Sequence, residues 1–134
     1  MNAPDISNAD FAALLELVKS RFYAWHLKEL RPERDRRVGE LNQQRLRTGK
    51  WAVHLFQIYS ELLECEVRER IALYAGVARE SGSSEMLSKR RIEEFRQRIM
   101  TTVGHGTAAL KDRIEQRART AGDVSPSALP SQHR

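Results

Sequence analysis

The chain has 134 residues and a mass of 15.4 kDa, 40% of them hydrophobic and 31% charged, with a formal net charge of +5. That length suits one domain, and a mean hydropathy of -0.60 requires much of each element to face water. One cysteine, Cys65, excludes an internal disulfide or a cysteine-rich zinc site, and no run of about 18 apolar residues is long enough to cross a bilayer.

Residues 1–10 carry two aspartates and no basic residue, which does not read as a targeting signal, so a reducing, cytoplasmic location is the expectation. Ser7 followed by Asp10 resembles a capping box and predicts a helix from about Asn8. Phe11, Leu14, Leu15, Leu17, Val18, Phe22 and Trp25 share one broad face at about 100° per residue. The helix is expected to end before Pro32, because a proline pushes the preceding Arg31 out of helical geometry. Pro32 then opens a second helix over about 33–47, with Glu33 and Asp35 near its positive end. That helix offers only Val38, Leu41 and Leu46 as apolar residues, and Gly39 weakens it. It reads as a charged surface helix or connector.

Thr48-Gly49 punctuates the chain, and a third helix follows over about 50–79. Its first half, with Trp51, Val53, Leu55, Phe56, Ile58, Tyr59, Leu62 and Leu63, is apolar over more than half its circumference and is expected at the centre. Past Cys65 the stripe thins through Val67, Ile71, Leu73, Tyr74, Val77 and Ala78. Glu66 and Arg70 interrupt it four residues apart, where they are able to pair. Ser81-Gly82-Ser83-Ser84 marks a stop and restart, with Gly82 past the helix end and Ser83 or Ser84 as the next cap.

The fourth helix is expected from about Glu85, with a narrow seam of Ile92, Phe95, Ile99 and Val103, then Leu110 and Ile114. Gly104-His105-Gly106 predicts a kink or break, with His105 as a turn residue and a final segment to about Ala118. Residues 121–134 hold too few large apolar side chains to fold and are expected to be a disordered tail. No strand pattern and no solenoid repeat competes. The expectation is all-α: one domain over 1–120, an antiparallel bundle of three long helices plus a short charged one.

Motifs for catalysis are absent. No Glu-x-x-His pair, His-Glu-x-x-His, glycine-rich phosphate loop or Gly-x-Ser-x-Gly elbow occurs. His54, Glu61 and Cys65 fall on one side of the third helix, but seven residues span about 10 Å, too far for His54 and Glu61 to share a metal ion. Glu61, Glu64, Glu66 and Glu69 read as helix-surface carboxylates rather than an acid–base pair, since Arg68 and Arg70 follow at helical spacing. Trp25 and Trp51 read as core anchors. No enzyme activity, cofactor, metal or small-molecule substrate is expected.

Two kinds of binding remain. Helices of about 45 and 50 Å outrun a first helix of about 33 Å. Val67, Ile71, Tyr74 and Val77 on the third helix, with Leu110 and Ile114 on the fourth, then form an exposed seam for a protein partner or a second copy of the chain. The alternative is a polyanion such as nucleic-acid backbone. Residues 31–50 and 83–134 are the basic segments, with Arg34, Arg36, Arg37, Arg45, Arg47, Lys50, Lys89, Arg90 and Arg91 as candidate contacts. Arginines on both sides of the second helix suit a solvated surface better than a groove-reading face. A helix-turn-helix reading fails because its recognition helix would open on Lys50-Trp51-Ala52-Val53, too apolar to lie against base edges. A membrane-surface role fails because the polar face of residues 51–63 has no Lys or Arg.

Overall fold

The computed structural model describes residues 5–121. Among them lie α1 (Asn8–Trp25), a π-helical turn (His26–Leu30), α2 (Arg31–Gln43), α3 (Thr48–Glu80), a 3-10 turn (Ser84–Met86) and α4 (Lys89–Ala121). α3 is central, with α1 and α2 along one side and α4 along another. Arg21 of α1 meets Glu80 at the end of α3, and Trp51 near its start donates to Asn42 of α2, so this pair runs antiparallel. Phe95 stacks on Tyr74 and Arg117 reaches back to the Leu46 carbonyl, so α4 is antiparallel to α3 as well. The tail expected beyond Ala121 lies outside the described residues.

The α-helical bonding of α1 ends at Trp25, before Pro32 as expected, but Arg31 is not pushed out of helical geometry. Arg31 keeps helical angles (φ -62, ψ -46) and its N–H donates five residues back, to the carbonyl of His26. Proline removes one helical hydrogen bond and its ring crowds the carbonyl four residues earlier. A π turn widens the helix there and accommodates both defects. It also resets the phase of the apolar side chains. At about 100° per residue, Leu30, Val38 and Leu41 would lie roughly 80°, 160° and 100° around the helix from Phe22. One extra residue in the turn takes back about 100°, which returns Leu30 and Leu41 to the side of Phe22 and brings Val38 near it. All three are buried with Phe22. The second helix is short and largely solvent-facing, as expected, with only Val38 and Leu41 buried, but it continues directly from the π turn, so α1, the turn and α2 together match the length of α3 and α4.

The core has two ends. At one, Phe95 of α4 stacks between Phe11 of α1 (5.5 Å) and Tyr74 of α3 (4.4 Å), with Leu14, Val18 and Val77 around them. Arg91 lies over the Phe11 ring and donates to Asn8 Oδ1 at 2.6 Å. At the other end, Leu30, Leu41, Trp51, Leu55, Ile58, Leu62 and Leu110 pack together. Arg117 covers Trp51 at 4.4 Å and holds the Leu46 carbonyl at 2.8 Å. Leu55 is the most enclosed of these side chains.

Local signals set the helix ends. Ser7 Oγ accepts from the Asp10 amide at 3.1 Å, and Gly82 takes φ +71 after α3. α4 starts at Lys89 rather than Glu85, because Ser84–Met86 form a 3-10 turn and Ser88 Oγ accepts from the Arg91 amide. Asp5 Oδ1 accepts from the Ile6 and Ser88 amides, pinning the start of the described chain to this loop. In the α2–α3 loop Arg45 sits at φ +54, a left-handed angle unfavourable for a residue with a Cβ.

The break expected at Gly104-His105-Gly106 is absent, and α4 runs through it. A Cβ on Gly106 would stand 3.1 Å from Leu63 Cδ1, so the missing side chain lets α3 and α4 approach.

Candidate interaction surface

The seam drawn from the sequence is largely internal. Tyr74, Val77 and Leu110 are buried, Ile114 packs against the second cluster, and Val67 is half-buried. Only Ile71 stands out, 53% exposed. The length mismatch that predicted overhanging helices is removed by the joining of α1 to α2, so α3 has a neighbouring helix along its whole length although some of its side chains stay in water.

Exposed apolar surface gathers elsewhere. A groove of about 650 Å³ runs between the last third of α3 and the first third of α4. Tyr74, Ala78 and Phe95 line its floor, and Leu87 and Ile99 its flanks. Ile71 from α3 and Ile92 and Met100 from α4 also line it, exposed by 53%, 53% and 56%. The charged residues lining it are Arg79 on α3 and Arg96 on α4, with no carboxylate among the lining residues. Arg96 has only a 3.8 Å approach to Glu93, and both side chains are largely solvated. The narrow seam noted on the fourth helix held the signal: Phe95 turns inward from it and Ile92 outward.

A smaller pocket of about 290 Å³ lies at the waist between the two core ends, bordered by the π turn, α2, α3 and α4. Here the apolar stripe of α3 gives way to Glu66 and Arg70. They form no ion pair within 4 Å; instead Arg70 lies 3.7 Å over the Phe22 ring. Burial pushes the Glu66 carboxyl up against the pull of Arg70 and Arg34. Burial pushes the His26 imidazole down, and Arg34, Arg31 and Arg70 push the same way.

The candidate polyanion contacts separate. Arg36 is held by Glu33 and Glu40 at 2.7 and 2.6 Å, and Arg37 by Glu61 at 2.7 Å. Arg91 is buried beside Asp5, and Arg90 approaches Asp5 at 3.7 Å. Arg45, Arg47 and Lys50 cluster at the α2–α3 loop, while Lys89, Arg90 and Arg91 sit at the α3–α4 end. At 1.5 Å per residue the 33 residues of α3 put about 48 Å between the two groups. Arg34 stands alone at the waist pocket.

Glu61 is committed to Arg37, which pulls its carboxyl below the ordinary range, and Cys65 is exposed. Among the described residues no three His, Cys, Asp or Glu side chains gather as a metal site, and no helix is long and apolar enough to cross a membrane. No protein-family model, curated protein or solved structure matches this chain.

Proposed function

We propose that this chain is a non-enzymatic helical interaction module whose α3–α4 groove receives an amphipathic helix from a protein partner. The observation that carries the reading is a groove with an apolar floor whose lining includes three large aliphatic side chains half in water: Ile71 from α3 and Ile92 and Met100 from α4. Grooves of this kind take helices through side chains at i, i+3/i+4 and i+7. Arg79 and Arg96, one on each wall, favour a helix whose apolar stripe is bordered by Glu or Asp. A phosphate-backbone reader draws less support, because several of its arginines already hold carboxylates and the remaining candidates are scattered among both ends of the bundle and the waist, among the described residues.

The test is a nuclear magnetic resonance titration with two model helices, each with leucines at groove spacing, one flanked by glutamates and its twin by lysines. The glutamate peptide is expected to shift signals of Ile71, Ile92 and Met100 and to bind at least about tenfold tighter than the twin. Ile92→Glu should abolish the shifts without loss of helix, since its side chain is half-exposed. Equal affinity for the twins, or no shifts at the groove, refutes the reading. A dimer in light scattering that Ile92→Glu dissolves would give the groove to a second copy instead.

A further inference from the structure

The waist pocket has a chemistry of its own, independent of the groove. Its walls are mainly apolar, with Phe56, Tyr59, Leu62, Leu63 and Leu110 around a cavity of about 290 Å³. At roughly 30 Å³ per non-hydrogen atom, the share a water molecule takes in the liquid, that is room for about ten such atoms. The pocket's charged lining residues are Arg34 and Glu66. Arg34 borders the pocket and gives only its Nε, to Asp35 at 3.4 Å, so both terminal amino groups of its guanidinium have no partner among the described residues. Arg31 and Arg70 add to the positive field that reaches His26. Glu66 is the one carboxylate among the described lining residues; Arg70 and Arg34 attract it without an ion pair within 4 Å, and Arg34's one ion pair among the described residues is to Asp35. A planar guanidinium with a free fork is matched best by a carboxylate.

We propose that this pocket binds a medium-chain monocarboxylate, its head group on the Arg34 fork and its hydrocarbon tail between α3 and α4. Gly106 makes the room. A Cβ there would already stand 3.1 Å from Leu63 Cδ1, and both residues line the pocket. The π turn supplies the remaining wall, carrying His26 and Leu30 into it. Single-turn widenings of this kind recur where a helix borders a functional site.

The probe is octanoate, with ten non-hydrogen atoms, titrated into the full chain by calorimetry and nuclear magnetic resonance beside octanol, which has the same tail and no charge. Octanoate is expected to bind one-to-one and to shift the Gly106 amide and the Leu63 methyl groups. Octanol should bind at least about tenfold more weakly. Arg34→Gln should weaken octanoate by about tenfold and leave octanol unchanged, because that half-exposed side chain carries little of the fold. Gly106→Leu should fill the pocket and remove binding of both with helix content kept. If Gly106→Leu unfolds the chain, the octanol comparison and Arg34→Gln decide. The proposal is overturned by the absence of saturable binding, by equal affinities for acid and alcohol, by an Arg34→Gln protein that binds octanoate as before, or by shifts confined to Ile92 and Met100 of the groove.

Discussion

Gly104 and Gly106 offer a sharp test of helix continuity, because alanine at the two positions meets different surroundings. In a helix interior, Gly→Ala gains about 1 kcal/mol through reduced backbone entropy in the unfolded chain. Nothing lies within 4 Å of a Cβ built on Gly104, so Gly104→Ala should realise that gain in full. For a domain of this size it corresponds to a rise in Tm of roughly 4 °C. At Gly106 the new Cβ would stand 3.1 Å from Leu63 Cδ1, a few tenths of an ångström too close. Leu63 is half-buried and borders the 290 Å³ waist pocket, so its side chain has somewhere to go. A modest departure from its rotamer costs about 0.5 kcal/mol. Gly106→Ala should therefore still stabilise, by about 0.5 kcal/mol, half the gain at Gly104. Urea unfolding followed by far-ultraviolet circular dichroism measures both, with unchanged m-values as the control for an unaltered unfolded state. A Gly104→Ala protein less stable than the parent by more than about 0.5 kcal/mol would refute the reasoning. It would mean that the segment holds a backbone angle forbidden to alanine, and that α4 is broken there after all.

Other perturbations follow from the same packing. Leu55→Ala, at a fully enclosed position, should cost about 2–5 kcal/mol in urea unfolding, whereas Val53→Ala at a 66% exposed neighbour should stay within about 0.5 kcal/mol. Arg45→Gly should raise stability by up to about 1 kcal/mol by relieving the left-handed angle, and an unchanged midpoint would show that the loop holds no such strain. His26 has a folded pKa below its ordinary value, so the unfolded chain takes up its proton first. Stability should fall as pH drops below about 6.5 and through the lower folded pKa, and His26→Gln should flatten that slope relative to the parent. Glu66 has the opposite sign, its folded pKa being raised by burial. Stability from this group therefore grows as pH falls through that raised value, and Glu66→Gln should make the acid-side loss steeper.

Helix class and several helix ends were legible in the amino-acid order, because each depends on neighbours within a turn or two. Ser7 caps α1 through an amide three residues on, Gly82 takes the left-handed angle past α3, and Leu55 and Trp51 lie in the face expected to be the core. The polar step at Glu66 and Arg70 was also visible, though not that Arg70 would turn onto Phe22 rather than pair with Glu66. What required the tertiary structure were relations of phase between distant segments. Pro32 taken alone ends a helix; a π turn instead carries the helix through, because the inserted residue rotates Leu30, Val38 and Leu41 back toward α3. Gly104 and Gly106 taken alone break a helix, yet α4 runs through both, with Leu63 of α3 packed close against Gly106. Those two continuities match the lengths of all three rods, bury Tyr74, Val77 and Leu110, and leave Ile71, Ile92 and Met100 as the uncovered groove. Local preference is written in the nearest few residues. The side of a rod that is left in water is set only when all three rods take their places.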